Sequence, residues 1–554
     1  MSERARRFRR GWPTFRMLPR AVRLSLMLTA IAVVAPPPAW PAEKVAVVAV
    51  GATFINLNPL THIVSTMRVM NNLLFDGLTR FDDDTYQAKP DLAESWTVSK
   101  DGLEYVFKLR RGVVFHDGSP LTAHDVKWSW EVICHKDNPR IADVYVDHYV
   151  QIRGCREFHD GQAAGVDGIE VVDDHTLRVR LTEPYAPFLV STAVTGILPR
   201  AKYGSIPVKG LLQHPLSRAP IGTGPFMYVD WKEGDRLVLK ANPRYFRGKP
   251  KLDGLIIRFM PDAAARLIEF KNGTLHFAFF SPVLTDDFNA AKADAKVVAK
   301  AYTGVWNYFA AVDHTNPLFK DARVRQALAL AIDRRRILNE QWGGYGAIAN
   351  SPINPSLPAF DKKVAAPEHD PAKARTLLAE AGWRAGSDGI LEKDGKRFAF
   401  SIACFAGTSR TMAIVYQDFW KKLGMDVSVD TVDFPALWGV RFHPGKFEAI
   451  SFLWPSGFYP DPAVGLYPFL CANSRTGYCS AEMDRLIVAG RSAVNPQERL
   501  KNYARFQELF ARDMPFMWVV SPADLRLVSP KLILPARGND FLVMKAIMEW
   551  DLKE

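Results

Sequence analysis

Cysteine is scarce in this chain, five in 554 residues, and none precedes Cys134. A lipid-modified cysteine near the start is therefore excluded. There is no C-x-x-C or H-E-x-x-H spacing, so no metal is expected, although His135, His148, Cys155 and His159 lie close to Cys134 in sequence. The chain also lacks a G-x-S-x-G elbow and an S-x-x-K with its partner motifs, which leaves a secreted hydrolase without a nucleophile. No catalytic residue and no cofactor are expected. The apolar run from Ala21 to Ala35 is too short, and too closely followed by prolines, for a membrane span. No basic cluster interleaved with aromatics follows Ala42, which excludes nucleic acid as a partner.

What the N-terminus does have is eight arginines and one acid before Ala42, then the apolar run, then prolines and small residues. That order is an export signal, with cleavage expected after Ala42 and an uncleaved anchor as the alternative. The pair Arg6-Arg7 leaves twin-arginine and general export both open. Removing eight arginines and one glutamate takes the formal charge from +12 to about +5, so much of the basic character belongs to this segment. Export makes the cysteines disulfide candidates: Cys471 with Cys479 across "CANSRTGYC", and a possible second pair, Cys134 with Cys155, leaving Cys404 over.

The remainder mixes hairpins with strand-helix units. In "SWTVSKDGLEYVFKLR", Tyr105, Phe107 and Leu109 alternate with charged residues after a Lys100-Asp101-Gly102 turn, which predicts a hairpin. "GIEVVDDHTLRVRL" and "FMYVDWKEGDRLVLK" repeat the pattern. From Leu255 a strand, a Pro261-Asp262 start signal, a helix ended by Gly273 and a strand "LHFAF" predict a strand-helix-strand unit. Asp321 and Asp370 read as caps of two later helices. The fold class is α/β with a hairpin-rich first part.

Several short motifs have plain structural readings. His116-Asp117-Gly118 forms a turn before a helix capped by Thr122 with Asp125 as its partner. Gly222-Thr223-Gly224-Pro225 lacks the third glycine of a dinucleotide site and reads as a bend. Asp321, Arg323 and Arg325 read as a cap with surface pairs. Residues 452–462, "FLWPSGFYPDP", place Trp454, Phe458 and Tyr459 among prolines that forbid a regular helix or central strand. Such a loop is either a plug on the core or the wall of a binding site.

The run "DLAESWTVSKDGLEYVFKLRRGVVFHDGSPLTAHDVKWSWE" resembles the signature region of the extracellular solute-binding proteins (family 5) of the dipeptide, oligopeptide and nickel class, which serve ABC importers. "PIGTGPFMYVDWKEGDRLVLKANPRYFRGKPKLDGLIIRFMPDAAARLIEFKNG", "FKDARVRQALALAIDRRRIL" and "PAKARTLLAEAGW" agree in order and spacing. The resemblance implies a periplasmic, monomeric protein of the two-lobed periplasmic binding protein fold (class II type), with an extra subdomain on the first lobe. A two-strand hinge lets it close on a small-molecule or peptide-like solute for delivery to an inner-membrane permease. The implied division is 43–280 for the first lobe with its subdomain, 281–520 for the second, and 521–554 as the return, with the hinge near Phe279 and Val519. A periplasmic adaptor, chaperone or sensor accessory of the same fold is the alternative.

The resemblance also implies the cleft. Ser65, Thr66 and Met67, Tyr145, Trp306, Tyr308, Trp438, Arg441, Trp454, Ser456, Gly457, Phe458, Tyr459 and Asp461 match positions that face the solute in relatives. In peptide-binding relatives an aspartate shortly after the tryptophan takes the peptide's amino group. Here the matching position is about Gly457, and Asp461 is a poor substitute. Losing that acid counts against ordinary free-amine peptides, because a buried ammonium needs a carboxylate partner.

Overall fold

The computed structural model describes residues 44–61, 65–82, 87–138, 148–279, 283–456, 461–535 and 546–553, with the side chains of 65–69 and 464 excepted. The proposed export segment 1–42 lies outside the described residues.

The three hairpins form as their turns predict. Ala93–Val98 pairs antiparallel with Glu104–Leu109, with Trp96 opposite Phe107 and Gly102 at a φ of 72° in the turn. Ile169–Asp173 pairs with Thr176–Arg180, and the latter adds to Glu104–Leu109, giving a four-stranded sheet. Its Tyr105 and Phe107 pack with Trp130 and Phe188 in the first core. This sheet is the subdomain.

The third hairpin, Phe226–Lys232 with Arg236–Ala241, enters a seven-stranded sheet. Here the predicted strand-helix-strand unit runs Gly254–Phe259, helix Ala263–Lys271, Phe277–Phe279, with the Asp262 carboxylate accepting from the Ala265 N–H at 2.7 Å. The two strands are not neighbours. Val45–Val50 lies between them, parallel to both. Apolar strand residues facing both sides fit a sheet buried on both faces.

After Phe279 the chain returns to this same sheet, because Val298–Tyr302 pairs antiparallel with Asp524–Val528. It crosses only at 303–306 into Asn307–Val312, the third strand of a six-stranded sheet, and comes back from Met517–Pro522 through Ala523. The division expected at 280/281 is therefore too early: the strand Val298–Tyr302 belongs with the first lobe, held there by its register with Asp524–Val528. Residues 43–554 form one compact unit, built of these two sheets and the subdomain.

The second sheet runs Gly346–Ile348, Met517–Pro522, Asn307–Val312, Ala449–Trp454, Ala399–Phe405, Asp426–Val432. Its last three strands are parallel to one another. One face packs on the helices Ala322–Ala331, Pro371–Glu380 and Thr408–Lys421, through Val324, Leu328, Leu378, Met412, Tyr416 and Trp420. The other face packs on Ala481–Ser492 and Pro496–Asp513 through Met483, Ile487, Phe506 and Phe510. Asp321 and Asp370 cap their helices, accepting from the N–H groups of Arg323 and Lys373. Arg325, read as a surface pair, is instead buried and donates to the carbonyls of Phe319 and Lys320, both at 2.8 Å.

The turn motif and the glycine bend meet each other. His116 Nε2 donates to the Gly224 carbonyl at 3.0 Å and its Nδ1 accepts from the Gly222 N–H at 3.2 Å. Both ring nitrogens are occupied, so the imidazole is a neutral clamp. Burial pushes its pKa down to about 4. Asp125 accepts from the Thr122 N–H at 2.9 Å and starts the helix Ala123–Cys134. That helix ends in Cys134, bonded to Cys155 with Cα atoms 5.4 Å apart; Cys471 and Cys479 are bonded with Cα atoms 4.6 Å apart, and Cys404 is a buried free thiol.

Candidate functional site

In open sheets a ligand crevice forms outside the carboxyl ends of parallel strands, where the connecting loops part. Phe405, Val432 and Trp454 are the last residues of the three parallel strands in the second sheet. Antiparallel pairing sets Asn307, the first residue after the crossing, beside Trp454. The crossing and the end of the strand Ala449–Trp454 thus meet at one end of the sheet. Trp306 and Tyr308 flank Asn307 in sequence, Tyr308 packing toward one face of the sheet and Trp454 toward the other, and Arg441 reaches Asp430 on the outer strand.

Their environments differ. Trp454 is 8% exposed and packs on Phe442 and Phe469, with ring centroids 6.4 and 6.3 Å away. It belongs to the core, and its indole N–H is buried with no hydrogen-bond partner among the described residues. The exposed aromatic surface is elsewhere. Trp438 is 39% exposed and Phe434 51% exposed, and both lie parallel to the buried ring of Phe452, at 5.9 and 6.1 Å. Pro435 follows the Asp433 cap of this short helical segment, which continues as a wider turn over Leu437–Phe442. The segment lays an aromatic ledge over the strand ends.

Tyr308 is half-buried, its ring 5.2 Å from that of Trp342, and burial raises its pKa to about 12. Arg441 forms an ion pair with Asp430 at 3.3 Å. Ser456 is buried and joins a polar network at the crossing. Asn354 Nδ2 donates to the Gly304 carbonyl at 3.1 Å and to Ser456 Oγ and Asn307 Oδ1 at 3.3 Å, while Asn307 Nδ2 donates to the Ser351 carbonyl. The Ser351 hydroxyl donates to Gln507 at 3.1 Å. Because buried polar groups are costly unless paired, this network fixes the crossing against the loop.

Asp461 is also committed. It is 5% exposed, accepts from Arg499 Nη2 on both oxygens at 2.7 and 2.6 Å, and caps the helix Pro462–Leu466 through the Ala463 N–H at 3.0 Å. Burial opposes the Arg499 charge, but Asp461 and Tyr503 beside it outweigh this and hold its proton more tightly than usual. Asp433, just before the aromatic ledge, caps Phe434–Ala436 by accepting from the Ala436 N–H at 2.7 Å.

Gly457, Phe458 and Tyr459 lie outside the described residues, as does Tyr145. Ser65, Thr66 and Met67 open the helix Ser65–Leu74, but their side chains are outside the description. The sequence reading missed Asn307, Asn354, Arg499 and Gln507. Only Asn354 carried a signal, since "SPINPSLP" marks a rigid loop. The sulfurs of Cys134 and Cys155 are bonded to each other, and among the described residues no group of three His, Cys, Asp or Glu could hold a metal ion.

Residues 87–476 match the family model described as bacterial extracellular solute-binding proteins, family 5 middle. The chain is 32% identical over 472 residues to the oligopeptide-binding protein AppA of Bacillus subtilis, covering 82% of this chain and 81% of that protein. It is 29% identical over 471 residues to heme-binding protein A of Haemophilus influenzae, covering 83% of each. Among solved structures it resembles NikZ from Campylobacter jejuni in complex with Ni(L-His), with a TM-score of 0.74 at 26% identity, over 92% of this chain and 99% of that one.

Proposed function

The chain belongs to the bacterial extracellular solute-binding proteins of family 5, and from that membership we propose that it works in the periplasm as a monomer, after export by residues 1–42, and hands its solute to the inner-membrane permease of an ABC importer. The solute sits between the two lobes, against the carboxyl ends of Ala399–Phe405, Asp426–Val432 and Ala449–Trp454. No chemical step is performed on it. The relatives' names span an oligopeptide, heme and a nickel-histidine complex, so membership leaves the solute to be chosen by the crevice itself.

The solute we infer is peptide-like or otherwise organic and carries no free ammonium at the end that meets the loop 455–461. The observation that carries this reading is the engagement of Asp461 by Arg499. With Asp433 spent on a helix cap and no acid in residues 457–460, the loop offers a cation no carboxylate, while Trp438 and Phe434 offer a flat apolar face. An ammonium brought there would be desolvated without compensation. Ser456, Trp306 and Tyr308 contribute the polar and aromatic remainder of the wall.

Calorimetry with tri-alanine and its N-acetylated form tests this directly. The acetylated peptide should bind more tightly than the unmodified one. Tighter binding of the free-amine form would sink the proposal.

A further inference from the structure

The turn at 490–495 joins helix Ala481–Ser492 to Pro496–Asp513, and these helices pack in the second lobe through Met483, Ile487 and Phe506. The turn nevertheless touches the subdomain of the first. Arg491 Nη2 donates to Glu183 Oε1 at 2.7 Å, its guanidinium lies 5.8 Å from the centre of the Tyr185 ring, and its carbonyl accepts from the Ala186 N–H at 2.9 Å. Val494 adds an apolar contact beside them. Its Cγ2 lies 3.2 Å from where a Cβ on Gly102 would stand, next to Pro184.

On the other side of the same turn, Arg499 Nε donates to the Gly490 carbonyl at 2.8 Å while its Nη2 grips Asp461. One guanidinium therefore ties the end of the crevice loop to the residue before Arg491. The planar fork of arginine allows this double reach, which a lysine could not make.

We propose that Arg491 is the residue that latches the two lobes together, by way of Glu183, Tyr185 and Ala186, and that Arg499 couples Asp461 to that latch through the Gly490 carbonyl. The inference rests on the reading that the lobes close on a solute. It adds which residues set the balance between open and closed. A side-chain ion pair, a main-chain hydrogen bond and a cation-ring contact act at one point, with Arg491 only 17% exposed, so the pair is less screened than a free surface bridge. Such a latch requires a second arrangement in which the turn is released from the subdomain, and the Asp461–Arg499 pair would bias which of the two is held.

The test uses the mature chain with no solute added. Spin labels are placed at Lys240→Cys in the first sheet and Lys421→Cys in the second lobe, both exposed, and their separation is measured by pulsed electron resonance. Arg491→Ala should lower the ratio of closed to open molecules by roughly fivefold. Glu183→Gln, at a half-exposed position that does not endanger folding, should do the same. The reciprocal pair Glu183→Arg with Arg491→Glu should return the closed population. Asp461→Asn should lower it while leaving Arg491 intact. Distance distributions in Arg491→Ala and Glu183→Gln that superimpose on the parent's would overturn the latch, and a parent-like distribution in Asp461→Asn would overturn the link to the loop. Neither result touches the solute reading, which calorimetry decides separately.

Discussion

Gly304 stands so close to Pro522 that a Cβ at position 304 would lie 1.7 Å from the Pro522 carbonyl oxygen. These residues sit in the two segments where the chain passes between the lobes, and their backbones touch. Gly304 also gives its carbonyl to Asn354, so it cannot retreat without breaking the buried network. Gly304→Ala is expected to cost about 1 to 3 kcal/mol through overpacking. A chemical-denaturation midpoint equal to the parent's would show that the crossing strands part more easily than their spacing implies.

The pair Asp461 and Arg499 yields a second outcome. Truncating Asp461 to Ala leaves a buried guanidinium with no carboxylate, a lesion worth roughly 3 to 5 kcal/mol. Replacing both with apolar residues of similar volume should recover much of that. If the single and double variants melt alike, the ion pair is not what holds the loop.

Acid should weaken the protein through His116. Its pKa is pushed down to about 4 by burial, so between that value and the ordinary histidine range the unfolded chain binds the proton and the folded one does not. The stabilisation is complete above pH about 6.5 and is lost as pH falls toward 4, roughly 2 kcal/mol by pH 5. His314, lowered to about 3 by burial and by Arg325, acts in the same direction. Melting between pH 7 and 5 should show the loss, and His116→Gln should flatten the profile while lowering stability at neutral pH. A parallel slope in that variant would remove His116 from the account.

Two tryptophans should behave oppositely. Trp454→Ala empties a core position and is expected to cost about 3 to 5 kcal/mol of stability. Trp438→Ala should leave the melting temperature nearly unchanged and weaken solute binding by roughly 1 to 3 kcal/mol, through lost stacking and burial. Comparing melting and affinity for both variants separates plug from wall. Intact affinity in Trp438→Ala would mean that the exposed ledge is not used.

These residues also show what could be read from the sequence. Hairpins and helix starts were legible because their signals are local: Gly102 supplies a left-handed turn, and Asp262, Asp321 and Asp370 each reach an N–H two or three positions on. The lobe crossing was not. Val298–Tyr302 is an ordinary strand by pattern, and only its pairing with Asp524–Val528, more than two hundred residues away, assigns its sheet. The same holds at the site. Trp438 and Trp454 look alike in sequence, and Phe469, beyond the loop, helps to bury one of them. The sequence marks Asp461 as a poor ammonium partner but not the reason, because Arg499, 38 residues later, carries no local signal of its own.

The central claim is that the crevice holds an organic solute whose end at the loop 455–461 carries no free ammonium. The most direct test is to purify the protein from its own cells, release what it carries by denaturation, and identify that molecule by mass spectrometry before and after amine-specific labelling. The account predicts a compound that takes up no label and that rebinds in calorimetry. A free-amine di- or tripeptide that labels, and rebinds tightly, would contradict it.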